Sequence, residues 1–337
     1  MDDGTGHRVG EWLRRRTSRA SQWRVPRLVE AKNGTRVSVV LPARDEAATV
    51  GAIVAGIRRA LVEDAPLVDE LVVVDSRSSD ATAEVAAAAG ATVVTQDEVL
   101  EHLPPMAGKG EALWKGLAAT TGDLVVFVDA DLRDFDPAFV SGLLGPLLTD
   151  PTVAYTKGFY HRPLLADGVV DLDGGGRVSE LVARPLLNLH WPELAGFVQP
   201  LAGEYAGRRE VLERVPFTTG YGVDLAMLVD VHDLVGLDGL AQVDLGRRVH
   251  RHHDLEVLGR MSAQVLLAAC ARLERQGRAV YATGPATTMT QFRRSSGPDD
   301  PGGGPDREVL VTDVAAGERP PLVQVRHPRC ASERPVG

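Results

Sequence analysis

Short apolar runs alternate with helix-forming segments through the first half of the chain. The runs have the length and β-branched content of buried strands, which are predicted at Val37–Pro42, Leu71–Asp75, Ala91–Val94 and Leu124–Val128. Helices are predicted between them, at Asp45–Val50, Ala81–Ala89 and Glu111–Ala119. Strands that alternate with helices predict an α/β fold with a parallel, doubly wound sheet.

The pattern is looser after residue 150. Further strands are predicted at Val153–Lys157 and Ala241–Leu245, and further helices at Ser179–Leu189, Leu225–Val235 and Met261–Gln276. The last of these is amphipathic. Its apolar face, which includes Leu266, Leu267, Cys270 and Leu273, fits either a dimer interface or core packing.

These patterns divide the chain into four parts. Residues 1–22 are charged and are expected to form a flexible basic arm. Residues 23–150 form the half in which strands and helices alternate, and residues 151–285 form a second half. Residues 286–337 include the Pro/Gly/Asp-rich stretch 294–306 and are expected to be largely disordered.

Composition narrows the class of protein. The 337 residues carry 46 acidic and 37 basic side chains, for a net charge of -9, which argues against a nucleic-acid partner. The two cysteines, Cys270 and Cys330, lack the spacing of a disulfide scaffold or metal site and fit a reducing compartment. No apolar run reaches the roughly 20 residues of a membrane helix. We therefore expect a cytoplasmic protein without a membrane partner.

The most informative segment ends in two carboxylates. Asp129 and Asp131 follow the apolar run at Leu124–Val128, and strand alternation would place both on one side at the carboxyl end of a strand. Ligands of open α/β sheets bind at that edge, and paired carboxylates suit a hard divalent cation. The alternative is a simple cap or turn. The metal interpretation predicts a nucleotide-sugar site.

Two further segments carry candidate ligands for phosphate or sugar. Asp75 and Ser76 end the second predicted strand, but the turn after the first strand lacks the G-x-G-x-x-G of a dinucleotide site. Lys109, between Gly108 and Gly110, opens a helix without completing a P-loop. It is either a phosphate or sugar ligand or an exposed loop lysine.

Two segments of the second half suggest anion sites. The run Arg247–His253 follows an apolar strand and could supply a metal-binding histidine and anion-binding arginines, or only a solvated basic edge. Gly174–Ser179 could expose backbone N–H groups to an anion, or form a plain helix cap.

Together these residues resemble the glucosyl-3-phosphoglycerate synthases, retaining glycosyltransferases of the GT-A fold found in actinobacteria. The resemblance runs from about Trp23 to Arg275. A weaker echo occurs at Glu318–Pro321, and the matching blocks are Val37–Ala43, Gly108–Trp114, Asp129–Asp131, Gly176–Val178, Pro200–Tyr205 and Asp244–Gly246. It implies a Rossmann-like, open, twisted and mostly parallel sheet with helices on both faces and a smaller acceptor-binding C-terminal part.

The resemblance also assigns roles. It implies that the donor, UDP-glucose, contacts Pro42, Ala43, Arg44, Glu46, Asp75, Ser76, Lys109, Asp129 and Ala130. Asp131 and His250 would bind Mg²⁺, with Mn²⁺ possible. The small anionic acceptor, 3-phosphoglycerate in the family, would contact Gly176, Arg177, Val178, Ser179, Arg248 and His252. Asp224 and Lys109 are the candidate catalytic residues, and the family implies a homodimer.

Three positions depart from the family pattern. His252 stands where the family has Asn, Ser179 where it has Thr, and Asp224 where it has Glu. The first of these changes an acceptor contact and is consistent with a paralogue that uses another donor or acceptor. The alternatives that remain are an inverting transferase with a lipid-phosphate acceptor, a sugar nucleotidyltransferase and a catalytically silent nucleotide-sugar-binding protein.

Overall fold

The computed structural model describes residues 3–161, 164–166, 169–171, 176–247, 254–294 and 307–325. Its centre is an eight-stranded sheet. The strands of this sheet are β1 (Thr17–Arg19), β2 (Val37–Ala43), β3 (Glu70–Asp75), β4 (Thr92–Thr95), β5 (Leu124–Phe127), β6 (Tyr155–His161), β9 (Tyr205–Arg208) and β11 (Leu240–Arg247). Three two-stranded sheets are peripheral, formed by β7 (Leu164–Ala166) with β8 (Val169–Asp171), β10 (Phe217–Thr218) with β14 (Glu318–Arg319), and β12 (Thr288–Arg294) with β13 (Arg307–Asp313).

The strand order in the large sheet is β1-β11-β6-β9-β5-β2-β3-β4. Neighbours pair in parallel except at β9, which runs antiparallel to both β5 and β6. This confirms the mostly parallel α/β sheet. It also shows that β9 joins the two halves predicted from the sequence into one sheet.

Helices cover both faces of the sheet. They are α1 (Asp3–Arg16), α2 (Val25–Lys32), α3 (Val50–Ile57), α4 (Thr82–Ala88), α5 (Lys109–Ala119), α6 (Ala138–Thr149), α7 (Arg184–His190), α8 (Arg209–Leu212), α9 (Val223–Val235) and α10 (Leu255–Arg275). Short π-helical segments at Arg58–Glu63 and Ser179–Ala183 and 3₁₀ turns at Ala20–Gln22, Pro192–Gly196, Leu237–Gly239 and Leu322–Gln324 complete the elements.

Alternation along β2 shows how the core is divided. Val39 and Leu41 pack on one face with α3 and α6, whereas Val40 packs on the other face with α5, α9 and α10. All three side chains are buried because each face of the sheet is covered by helices. Such strands appear in a sequence as unbroken apolar runs, which is why β2, β3 and β5 were predictable.

The N-terminal segment is not the flexible arm that the sequence predicted. Residues 3–16 form α1, and β1 pairs in parallel with β11 at the edge of the sheet. Trp12 is fully buried against Phe197, with ring centres 4.7 Å apart, and its Nε1 donates to the Leu240 carbonyl at 3.0 Å. The apolar spacing of Val9, Trp12 and Leu13 was too short, among so many charges, to predict this docked helix.

The tail is also more ordered than predicted. Strands β12 and β13 pair over seven residues each, and β14 pairs with β10. Residues 295–306 and 326–337 lie outside the described residues. No helix in the described part of the chain is long and apolar enough to cross a membrane.

Candidate active site

The start of α5 fits closely against β10. Gly108 has a positive φ of 112°, which favours glycine, and a Cβ on Gly110 would lie 1.8 Å from the Thr218 carbonyl oxygen. The Gly110 N–H donates to the Thr219 carbonyl at 3.0 Å. Only glycine allows this approach, so the Gly-Lys-Gly sequence fixes where Lys109 emerges from the helix.

Lys109 is the centre of a cluster of charged side chains. Its Nζ lies 2.9 Å from Asp129 Oδ1 and 3.4 Å from Asp224 Oδ2. Asp129 follows β5 and Asp224 lies in the first turn of α9, so three elements contribute. Three predicted site residues are therefore brought together, and Lys109 is an ion-paired, largely buried side chain.

Glycine also makes room for this cluster at position 203. A Cβ on Gly203 would lie 2.2 Å from Asp129 Oδ2 and 2.5 Å from Lys109 Nζ. Any side chain there would displace the ion pair. In the sequence Gly203 is one residue of the block Pro200–Tyr205, and a sequence does not show which glycine lies against a charged pair.

In this cluster two carboxylates share the ammonium of Lys109. Burial lowers the pKa of Lys109, but the Asp129 and Asp224 carboxylates outweigh this effect and raise that pKa overall. Burial raises the pKa of Asp224 in spite of Lys109 and Lys157 nearby. The two shifts differ in cause, since neighbouring carboxylates raise the pKa of Lys109 and loss of solvent raises that of Asp224. Within the described part of the chain, Asp224 Oδ1 is buried without a hydrogen-bond partner, as a residue prepared for a ligand would be.

Asp129 and Asp131 lie in a loop, because β5 ends at Phe127. The argument from strand alternation therefore does not apply to them, although both follow a central strand as predicted. Asp131 is exposed, and the Thr49 hydroxyl donates to the Ala130 carbonyl at 2.7 Å, which fixes the turn.

The carboxylates suit a hard divalent cation. The third predicted ligand, His250, lies outside the described residues. Within those residues no group of three or more His, Cys, Asp and Glu side chains could hold a metal. Asp131 offers an exposed carboxylate, the oxygen donor that such a cation binds.

The predicted donor residues line the carboxyl edge of β2 and β3. Ser76 N–H donates to the Ala43 carbonyl at 2.8 Å, and Ser76 Oγ donates to Gln96 Oε1 at 2.7 Å. Asp75 is buried, and its Oδ1 has no hydrogen-bond partner in the segments that the structure describes. Pro42, Arg44 and Glu46 lie on or just after β2, with Arg44 exposed at the rim. The ends of β2 and β3 thus form one surface, on which Asp75 Oδ1 is available to accept a hydrogen bond.

The predicted acceptor residues are only partly described. Gly176, Arg177, Val178 and Ser179 open the helical segment that continues into α7, and Gly176 has a positive φ of 80°. This segment packs against α10. The same helix also contacts the turn before Asp224, because the Tyr221 N–H donates to Oε1 of Gln264 on α10 at 2.9 Å. Arg248 and His252 lie outside the described residues.

The segment Gly317–Pro321, called the strap below, is hydrogen-bonded to α5 and to Thr219, which follows β10. Arg319 donates twice to Glu111 on α5, each at 2.6 Å, and also to the Pro104 carbonyl at 2.6 Å. Trp114 Nε1 donates to the Pro320 carbonyl at 3.0 Å, and Thr219 N–H donates to the Gly317 carbonyl at 2.9 Å. Part of the tail is therefore attached to the helix that carries Lys109. The echo at Glu318–Pro321 was the only sequence signal for it.

The sequence profile described as glycosyl transferase family 2 matches residues 38–165. The glucosyl-3-phosphoglycerate synthase of Mycolicibacterium smegmatis is 49% identical over 95% of this chain and 99% of its own. The chain belongs to the glucosyl-3-phosphoglycerate synthase family. The corresponding enzyme of Mycobacterium tuberculosis is 45% identical over 97% of this chain and 93% of its own.

Solved structures agree with this family and with its GT-A fold. The glucosyl-3-phosphoglycerate synthase of M. tuberculosis, in complex with Mn²⁺, UDP-glucose and phosphoglyceric acid, matches with a TM-score of 0.76 and 43% identity, over 90% of this chain and 96% of its own. The mannosyl-3-phosphoglycerate synthase of Rubrobacter xylanophilus matches with a TM-score of 0.84 and 42% identity, over 94% of this chain and 98% of its own. The fold class predicted from the sequence is confirmed.

Proposed function

We propose that this protein is a metal-dependent retaining hexosyltransferase that moves glucose from UDP-glucose to 3-phosphoglycerate or a closely related anionic acceptor. The observation that carries the proposal is the cluster in which Lys109 is shared by Asp129 and Asp224 at the carboxyl edge of the sheet. It places one buried cation and two carboxylates where α/β sheets bind nucleotides. The likeness to an enzyme solved with UDP-glucose and phosphoglyceric acid supports the same reaction.

The donor would lie across the ends of β2, β3 and β5. Asp75 Oδ1, which is buried and has no partner among the residues described, would accept a hydrogen bond from the uracil or ribose, and Ser76 and Ala43 would shape the edge. Lys109 would donate to the diphosphate or the glucose, where negative charge develops as UDP leaves. Asp224, opposite Lys109, would orient the glucose or the acceptor hydroxyl, which attacks from the face that UDP leaves.

A divalent metal completes this proposal, Mg²⁺ or the Mn²⁺ of the tuberculosis structures. Asp131 and His250 would hold it, and when bound it supplies positive charge to the diphosphate leaving group. Asp131 is exposed at the rim, where a partly hydrated ion is accessible. Gly176, Arg177, Val178 and Ser179 would bind the acceptor phosphate, together with Arg248 and His252.

The test is release of UDP from UDP-glucose and a divalent metal, with and without 3-phosphoglycerate. We expect release that depends on the acceptor and is abolished in Asp131→Ala. The matched control is Asp134→Ala, an equally exposed aspartate in the same loop, which should keep its activity. NMR of the product would give the anomeric configuration. Release that is independent of acceptor, or absent from the wild type, would contradict the proposal.

A mannose donor is the alternative that a specific observation favours. The mannosyl-3-phosphoglycerate synthase of R. xylanophilus has a TM-score of 0.84 to this chain, against 0.76 for the glucosyl enzyme. An assay of acceptor-dependent GDP release from GDP-mannose, run beside that of UDP release from UDP-glucose, distinguishes the two donors. A catalytically silent binding protein is disfavoured, because Lys109, Asp129 and Asp224 are all in place.

We also propose a homodimer in the cytoplasm. Large apolar side chains are exposed on α10, β12 and β13, namely Leu255, Leu266, Phe292, Val309 and Val311, whereas Leu273 of the same helix is buried in the core. In this proposal α10 serves both uses that its amphipathic pattern allows, with Leu273 in the core and the exposed Leu255 and Leu266 in the dimer interface. Light scattering after size exclusion should give twice the monomer mass, and Phe292→Ser should lower it. A monomer at micromolar concentration would contradict the dimer.

A further inference from the structure

Lys157 is a buried lysine that the proposed reaction does not use. It lies on β6 opposite Tyr205 of β9, and its side chain is fully buried. Its Nζ lies 4.8 Å from the centre of the Tyr205 ring and has no hydrogen-bond partner among the described residues. A buried ammonium without hydrogen bonds is costly, so its presence at this position calls for a compensating role.

The groups that face Lys157 are those of the candidate active site. Lys157 pairs with Tyr205, two residues after Gly203, which lies against Lys109 Nζ and the Asp129 carboxylate. The carboxylates that act electrostatically on Lys157 are those of Asp224, Asp129 and Glu204, and the second ammonium is that of Lys109. Burial lowers the pKa of Lys157 to about 8, with Asp224 acting in the opposite direction. Lys157 therefore carries its proton in most molecules at pH 7. The region holds three carboxylates and two ammoniums.

The tyrosines around Lys157 complete this environment. Tyr155 on β6 and Tyr205 on β9 are buried, and burial raises the pKa of both, so they stay neutral. The face of the Tyr205 ring stabilises a cation that has no hydrogen bonds. The charge of Lys157 is thus fixed beneath the site by the sheet and held away from solvent.

Lys109 does not neutralise Asp224 alone. Its Nζ is closer to Asp129, at 2.9 Å, than to Asp224, at 3.4 Å. When Lys109 turns to a donor diphosphate or glucose, Asp224 loses part of this partner as well. Lys157 is the other cation that acts on the Asp224 carboxyl.

We propose that Lys157 is a positioning residue, whose buried ammonium keeps Asp224 ionised while Lys109 is engaged by the donor. The inference rests on the proposed function, since it assigns Asp224 a role as a carboxylate in that reaction. Lys157 touches no substrate in this arrangement and acts through Asp224.

The test is the pH dependence of kcat for UDP release, compared between the wild type and Lys157→Met. Methionine keeps the length of the side chain and removes the charge. We expect the acid-side midpoint of kcat to rise by about one pH unit, so that kcat falls by up to roughly tenfold below the wild-type midpoint and recovers above the new one. The matched control is Lys115→Met, because Lys115 on α5 is equally buried but donates to the Val99 and Leu100 carbonyls. Its midpoint should stay at the wild-type value.

Two results would overturn the inference, namely a profile that superimposes on the wild type and a loss of kcat that is equal at every pH. A wild type without UDP release would instead refute the proposed function. In that case the Asp224 carboxyl can still be titrated by NMR, assigned by comparison with Asp224→Asn. A higher midpoint in Lys157→Met supports the inference, and an unchanged one refutes it. If Lys157→Met does not fold, Lys157→Gln gives the same neutral test.

Discussion

Two buried charged networks flank α5, and they differ in how their hydrogen bonds are used. In the strap network every side-chain nitrogen of Arg272 has a partner, from Asp230, Thr218 or Glu318, and Arg319 donates to Glu111 and Pro104. At the candidate active site Asp224 Oδ1, Asp75 Oδ1 and Lys157 Nζ have no hydrogen-bond partner among the described residues.

This difference distinguishes the strap network, which stabilises the fold, from the network of the candidate active site. A buried network that only stabilises a fold gains by satisfying every donor and acceptor. A site that must accept a ligand keeps polar atoms open, and the fold bears that cost. Both networks contain buried charges, so burial and charge alone do not locate the site.

Breaking the strap should have the largest effect on stability. Arg319→Met leaves Glu111, which is 1% exposed, as a buried charge that has lost its arginine partner, and we expect the free energy of unfolding to fall by about 3 to 5 kcal/mol. Denaturant unfolding measures this. The control is Arg293→Met, which breaks an exposed pair with Glu256 and should cost less than about 1 kcal/mol. Equal losses in the two variants would contradict the special role of the strap.

Removing the Asp224 charge should have the opposite effect to breaking the strap, since it should lower kcat without lowering stability. Burial raises the folded-state pKa of Asp224, so ionising it at neutral pH opposes folding, and stability from this group is lost as pH rises through that pKa. Asp224→Asn should therefore keep or raise the melting temperature while kcat falls by about 10²-fold to 10³-fold. UDP release and thermal unfolding at pH 7 measure both. A lower melting temperature would assign Asp224 to structural support instead.

The open oxygen of Asp75 allows a finer comparison. Asp75→Asn keeps the shape of the side chain but changes its hydrogen-bonding capacity, and we expect the KM for UDP-glucose to rise about tenfold with little change in kcat. Ser78→Ala is the control, since Ser78 N–H already occupies the other oxygen of Asp75 at 3.3 Å and its backbone is unchanged. An unchanged KM in Asp75→Asn would remove Asp75 from the donor site.

The smallest effect concerns the docking of the N-terminal helix. Hydrogen bonds from Thr152 and Arg16 lower the pKa of Asp150 to about 2. Ionised Asp150 therefore stabilises the fold above its ordinary pKa of 3.8, and this stabilisation is lost as pH falls toward 2. Because Asp150 is partly exposed, Arg16→Met should cost less than about 1 kcal/mol at pH 7. The difference between variant and wild type should vanish below pH 2. A difference that persists there would mean that Arg16 acts through packing.

Which site residues could be predicted depended on how far apart in the chain their partners lie. Asp129, Asp75 and Lys109 follow strands or open a helix in a regular alternation, so local pattern placed them at one edge of the sheet. Lys157 and Gly203 are ordinary residues in their own segments. Lys157 contacts Tyr205 across β6 and β9, about 50 residues apart, and Gly203 lies against Lys109 and Asp129. No local rule predicts such contacts.

The sequence by itself determined the parallel α/β sheet, the residues at its carboxyl edge and the resemblance to the synthase family, because apolar periodicity and strand-end chemistry are local properties. Tertiary structure alone decided that α1 docks through Trp12, that β9 enters the sheet antiparallel and that Arg319 of the tail reaches Glu111. Each of these depends on burial supplied by distant segments, since a lone tryptophan or arginine in a polar stretch gains stability only when the rest of the fold provides its partner.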